Sequence, residues 1–204
     1  RYYLTMEFIS GESLTRLIER KSPLEMEVAV AIQKDYLFGL TYAHDRSAPI
    51  VHRDINGDNI VLSYSKGKIR ALLADFGLAA ISDEVSWSNS AAGRYGFMAP
   101  ECFFGSYLPS SDVFSAGMVL YRMLTGIYPW QCAYSTCHSY ADVSSQVLAS
   151  RKKQVSTPST YNSNIPSQLD EIIMLSLEKD LSKRFRNAGE FLEALQTIDL
   201  ANLH

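Results

Sequence analysis

Over residues 113–124 the chain has almost no polar face: Val113, Phe114, Ala116, Met118, Val119, Leu120, Met123 and Leu124 occupy nearly every side of the turn. A helix apolar all round is stable only when other elements cover it, so the remainder of the chain must pack about this segment. Its limits are legible too. Ser110-Ser111-Asp112 offers N-capping side chains ahead of Val113, and Gly126 with Pro129 stops the helix at about Thr125. A second long helix is signalled at Ser22-Pro23-Leu24-Glu25, where Ser22 can cap, Pro23 suits the first helical position and Glu25 closes a capping box. Val28, Ile32, Tyr36 and Leu40 then recur every four residues, a core-facing stripe that runs to about His44. Shorter helices are predicted after Ser13 (Leu14, Leu17, Ile18), near 141–150, around Leu169, Ile172, Ile173, Ser176 and Leu177, and after Asn187, with Phe191, Leu192 and Leu195 inward. β structure is sparse. Residues 2–9 read as a strand running into an extended linker, and Ile60-Val61-Leu62 and residues 69–74 flank a Ser65-Lys66-Gly67-Lys68 hairpin turn. The expected fold class is therefore mainly α with a small β-hairpin.

Composition narrows what such a fold can serve. A length of 204 residues fits one domain with a sizeable core, and 47% hydrophobic with 20% charged residues is a globular balance. A net charge of -3 gives no electrostatic footprint for nucleic acid or an anionic membrane. No apolar run approaches the ~18 residues of a membrane span. Arg1-Tyr2-Tyr3 opens directly inside the strand-like run with no signal peptide, and the absence of a starting Met predicts that the chain continues upstream. The 3 cysteines form no disulfide framework, so a reducing, cytoplasmic setting is expected. Cys132-x4-Cys137-His138 lacks a fourth ligand at any usual spacing, and thiols rather than zinc are expected there. Arg151-Lys152-Lys153 reads as a solvated helix end, and His44 as structural.

Chemistry is concentrated in His52-Arg53-Asp54-Ile55-Asn56-Gly57-Asp58-Asn59, answered across the hairpin by Asp75-Phe76-Gly77 and followed by Ala99-Pro100-Glu101. The hairpin places Asn59 at one end and Asp75 at the other. Residues 78–98, between the second and third motifs, are polar and Ser-rich. The motifs resemble H-R-D-x-x-x-x-N, D-F-G and A-P-E of the protein kinase superfamily, in the family's order. Gly93-x-x-x-Phe97 is similar to the Ser/Thr pattern, and neither tyrosine-kinase form of the catalytic loop is present.

The resemblance covers essentially the whole chain, but only from the hinge onward. It implies the last small-lobe strand and hinge over residues 1–12, a large C-terminal lobe over 13–204 and an activation segment over 75–101. It implies ATP and Mg²⁺ as cofactors and a protein substrate. Asp54 would be the catalytic base and Asn59 and Asp75 the metal ligands. Met6 would be the gatekeeper, Glu7 and Ile9 would offer backbone groups to adenine, and Val61 would form the pocket floor. Arg53 would receive an activation-loop phosphate carried by Ser82, Ser86, Ser88 or Ser90, added by an upstream kinase or by autophosphorylation; Asp83 or Glu84 could supply that charge permanently. Arg184 would pair with Glu101, and Asp112 would be the buried start of the central helix.

This chain departs from the pattern at two linked positions. The family's Ser/Thr members carry a lysine where Asn56 stands, and a threonine where Arg94 follows Gly93. Arg94 is expected to return positive charge to the γ-phosphate or to Asp54, which makes it a candidate catalytic residue. No G-x-G-x-x-G, no V-A-I-K-like lysine and no partnering glutamate helix occur in the 204 residues. The isolated chain is therefore expected to bind ATP weakly and not to turn over. The alternative is a pseudokinase scaffold, favoured by Asn56 and Arg94 and opposed by intact Asp54, Asn59 and Asp75. A small-molecule phosphotransferase is disfavoured by H-R-D in place of H-G-D and by the A-P-E.

Overall fold

The computed structural model describes residues 7–65, 67–76, 94–132 and 137–198. In chain order its elements are β1 (Glu12–Ser13), α1 (Leu14–Arg20), α2 (Met26–His44), β2 (Ile60–Ser65), β3 (Lys68–Leu73), a 3₁₀ turn (Pro100–Phe104), α3 (Pro109–Thr125), α4 (Tyr140–Arg151), a second 3₁₀ turn (Pro158–Thr160), α5 (Ser167–Ser176) and α6 (Ala188–Gln196). The mainly helical fold predicted from the sequence is what forms. Residues 7–10 form neither helix nor strand, and residues 2–6 of the strand and linker predicted over 2–9 lie outside the described residues.

α3 is the central post. Phe114, Met118, Leu120 and Tyr121 are fully buried, and α2, α5 and α6 pack around it. It begins at Pro109, one turn before the predicted start. Proline costs nothing at a position whose N–H has no helical partner, and the Leu108 N–H donates to Ser111 Oγ at 3.1 Å. Asp112 is thus inside the first turn rather than a cap. At the other end Gly126 adopts φ 77° and sends its N–H to the Arg122 carbonyl at 2.9 Å. α2 also starts elsewhere than predicted, at Met26. The Ser22–Pro23 peptide is cis, and the Leu24 N–H is used across the core on the Met123 carbonyl at 2.8 Å. Those residues dock on the end of α3 before the helix can begin.

The sheet has three antiparallel strands in the order β1-β2-β3, one more than the predicted hairpin. β1 pairs Glu12 with Leu62 and Ser13 with Val61. Gly11 permits that approach, because a Cβ there would lie 2.0 Å from the Leu62 carbonyl oxygen. Ser13 also caps α1, its Oγ accepting the Arg16 N–H at 3.5 Å. Glu12 adds a surface clamp: it takes Arg20 through both carboxylate oxygens at 2.8 and 2.9 Å and the Tyr64 hydroxyl at 2.6 Å. Those donors hold its carboxyl down at about 2.

Glu101 and Arg184 meet as the resemblance implied. Arg184 Nη1 lies 2.7 Å from Glu101 Oε1 and also donates to the Ser110 carbonyl at 3.1 Å, while Ser111 Oγ donates to the same carboxylate at 2.8 Å. Arg151 contradicts its predicted solvation. It is 2% exposed, on the face of α4 that also buries Val143 and Val147.

Candidate active site

The site hangs from one buried carboxylate. Asp112 Oδ2 accepts the His52 N–H at 2.7 Å, and its Oδ1 accepts the Arg53 N–H at 2.9 Å. Arg53 has φ 70°, a left-handed backbone that a non-glycine residue keeps only when its surroundings hold it there. On the other side His44 Nε2 lies 3.0 Å from Asp112 Oδ2, and His44 Nδ1 accepts the Ala188 N–H at 3.1 Å. A backbone donor at Nδ1 leaves the ring proton on Nε2, so His44 donates to Asp112. His44 is structural, as expected, but its partner Asp112 orders the 52–59 loop.

His52 locks the next step. Its Nδ1 accepts the Asp54 N–H at 3.3 Å, so Nε2 donates to the Ala74 carbonyl at 2.8 Å. Its ring meets Phe76 edge-on at 4.7 Å. The loop is also tied to α1, where the Thr15 N–H donates to the Gly57 carbonyl at 3.0 Å. A Cβ on Gly57 would lie 2.6 Å from Thr15 Oγ1, so glycine is what fits.

Three side chains converge on the Asp54 carboxylate. Asn56 Nδ2 donates to Oδ1 at 2.9 Å, Asn59 Nδ2 donates to Oδ2 at 2.8 Å, and Arg94 Nη1 stands 3.4 Å from Oδ2. Burial raises the Asp54 pKa above the ordinary carboxylate value, opposed in order by Arg94, Asn59, His52 and Asn56. Asn56 is fully engaged: its Oδ1 accepts the Asp58 N–H at 2.9 Å while its amide nitrogen also reaches the Asp54 carbonyl at 3.1 Å. It steadies the loop without extending outward.

Asn59 and Asp75 are brought together by hairpin register. Ile60 faces Leu73, and the next step outward is the Ala74 N–H donating to the Asn59 carbonyl at 2.8 Å. Asp75 follows with φ 60° and is exposed. Asn59 points its amide nitrogen at Asp54, which leaves its side-chain oxygen available. One amide oxygen and one carboxylate suit Mg²⁺, which takes oxygen ligands and completes its shell with water and phosphate. Among the described residues no group of three or more His, Cys, Asp or Glu could hold a metal alone, so this pair would depend on nucleotide phosphates. The residues present fit the group.

Of the predicted adenine-side residues, Glu7 is exposed, Ile9 and Val61 are half-buried, and Met6 lies outside the described residues. Val61 sits between Ser13 and Leu72 in the sheet. The Ser82, Asp83, Glu84, Ser86, Ser88 and Ser90 candidates also lie outside. Arg53 is exposed, with its guanidinium 5.1 Å from the Tyr107 ring centroid.

The protein kinase domain family model matches residues 1–196. The chain belongs to the protein kinase family. It is 29% identical over 201 residues to the serine/threonine-protein kinase PrkC of Bacillus subtilis, covering 96% of this chain and 29% of that protein. It is 32% identical over 169 residues to the serine/threonine-protein kinase WNK of Caenorhabditis elegans, covering 83% of this chain and 8% of that protein. The chain thus spans less than a third of the length of either relative. The kinase domain of Mycobacterium tuberculosis PknI, solved as a double mutant, superposes with a TM-score of 0.66 at 23% identity, over 94% of this chain and 64% of that one. That likeness concerns the fold. Among the described residues no helix of this kinase chain is long and apolar enough to cross a membrane.

The sequence reading missed Arg151 as part of the kinase core. Its signal was present: Val143, Val147 and Arg151 repeat every four residues, which puts the arginine on the apolar face.

Proposed function

We propose that the protein carrying this chain transfers the γ-phosphate of ATP to Ser or Thr hydroxyls of a protein substrate. Asp54 accepts the proton of the substrate hydroxyl and orients its oxygen for attack. Asn59 and Asp75 hold Mg²⁺, which supplies charge neutralisation at the phosphates. The convergence of Asn56, Asn59 and Arg94 on the Asp54 carboxylate carries the reading, because a fixed base and a nearby cation are what phosphoryl transfer asks of a protein. Arg94 replaces the missing lysine charge: it faces Asp54 now and is free enough, at 56% side-chain exposure, to swing toward a phosphate.

The pseudokinase reading keeps one specific support, since the Asn56 amide is spent inside the loop. Both readings meet one experiment in the complete protein with ATP and Mg²⁺. Asp54→Asn is expected to abolish transfer, and Arg94→Ala to lower kcat on the order of 10²-fold, the scale of losing one transition-state charge donor. Asn56→Lys is expected to restore part of the Arg94→Ala loss. Unchanged turnover in Arg94→Ala ends the compensation idea, and no turnover in the parent favours the scaffold.

A further inference from the structure

Arg94 is delivered to Asp54 by a short turn over residues 94–98. The Phe97 N–H donates to the Arg94 carbonyl at 3.1 Å and the Met98 N–H to the Tyr95 carbonyl at 3.2 Å. From beneath, Ser115 Oγ on α3 donates to the Phe97 carbonyl at 2.9 Å. From the side, Arg151 at the end of α4 donates an Nη2–H to the Gly96 carbonyl.

The setting of Arg151 is unusual for a guanidinium. It is 2% exposed and lies 4.4 Å from the Trp130 ring centroid and 5.5 Å from that of Phe114, two rings stacked 5.9 Å apart. Trp130 is itself pinned by its Nε1–H on the Lys153 carbonyl at 3.1 Å. Burying a guanidinium is costly unless hydrogen bonds compensate it. What an apolar residue cannot provide is the donor to Gly96. That carbonyl is two residues from Arg94, a long and largely exposed side chain that keeps one station only if its backbone is fixed.

We propose that Arg151 is a positioning residue for phosphoryl transfer: its hydrogen bond to Gly96 fixes the 94–98 turn so that Arg94 faces Asp54. The orientation of α4 is thereby coupled to the catalytic loop. This proposal rests on the reading of Arg94 given above.

The test uses the complete protein with ATP, Mg²⁺ and a degenerate Ser/Thr peptide pool. Arg151→Met keeps an apolar stem and lacks the donors; it is expected to lower kcat about tenfold and leave the KM for ATP within about twofold. Adding Arg94→Ala to Arg151→Met is expected to cost little more, because the two act in series. Losses that multiply, or a lowered Tm with kcat unchanged, overturn the proposal. Arg151→Lys keeps charge without the guanidinium geometry, so a fall in kcat of about threefold is expected. If Arg151→Met does not fold, an unchanged kcat in Arg151→Lys overturns it alone. Amide exchange at Phe97 and Met98 separates this proposal from the reading of Arg94. It should be about tenfold faster in either foldable variant even if Arg94→Ala proves silent, and unchanged exchange refutes the bracing role.

Discussion

Asp54 illustrates how opposing effects set one carboxylate. Burial is the largest influence and raises its pKa, while Arg94 is the first of those pulling it back. A base must be deprotonated to accept the substrate proton, so activity falls as pH drops through that pKa. The acid limb of kcat/KM is expected above the ordinary carboxylate range. Arg94→Ala removes a cation that favours the charged form, so the limb should move further up, which a pH-rate profile of the complete protein reads directly. A downward shift would show that Arg94 does not act on this group. Asp112 is the second decisive residue. Its two oxygens receive two backbone N–H groups and the His44 ring proton, and asparagine can offer only one oxygen. Asp112→Asn should cost about 1–3 kcal/mol, the range for a buried donor left unsatisfied, in urea unfolding. It should also release Arg53 from φ 70°, lowering turnover while a variant at an exposed site such as Lys152 leaves it unchanged.

At the scale of elements, α3 and α5 meet closely at a glycine. A Cβ on Gly117 would lie 2.0 Å from Ser176 Oγ and 3.0 Å from Ser176 Cβ. Gly117→Ala should therefore destabilise the fold by about 1–3 kcal/mol through overpacking, despite alanine's better helix propensity. Pairing it with Ser176→Ala removes the nearer atom, and the double variant should recover part of the loss in a thermal melt. Additive losses would mean that the helices separate elsewhere. Several element boundaries differ from their sequence signals for a common reason. The Leu24 N–H is taken by Met123, so capping types at 22–25 do not start α2. β1 is two residues long and has no periodicity to detect; it exists because Gly11 lets the backbone approach β2. α3 starts early because Pro109 is as good a first residue as any capped position.

Across the whole molecule, the Glu101–Arg184 pair joins the third motif to the segment before α6. Arg184 is 3% exposed and makes further bonds to the Ser110 and Glu178 carbonyls. Arg184→Met strands a carboxylate at the base of α3, and a loss of about 3–5 kcal/mol is expected. Arg184→Met with Glu101→Gln should recover much of it, measured by denaturant midpoint. Purified 1–204 is expected to show no autophosphorylation with ATP and Mg²⁺, because no G-x-G-x-x-G and no V-A-I-K-like lysine occur in it; appreciable labelling of 1–204 would refute that expectation. The sequence by itself determined the helical class, the buried identity of α3, the hairpin and the three motifs. Periodicity, punctuation residues and short local spacings encode each of these within a few turns of chain. Only the tertiary structure decided that Asp112 and His44 support the 52–59 loop, that Asn56 turns inward, that Arg94 stands against Asp54, and that Arg151 is buried beside the 94–98 turn. Apart from those of Asn56, which stay within its own loop, these contacts join residues dozens of positions apart, and which buried polar group satisfies which partner is fixed only when the elements pack.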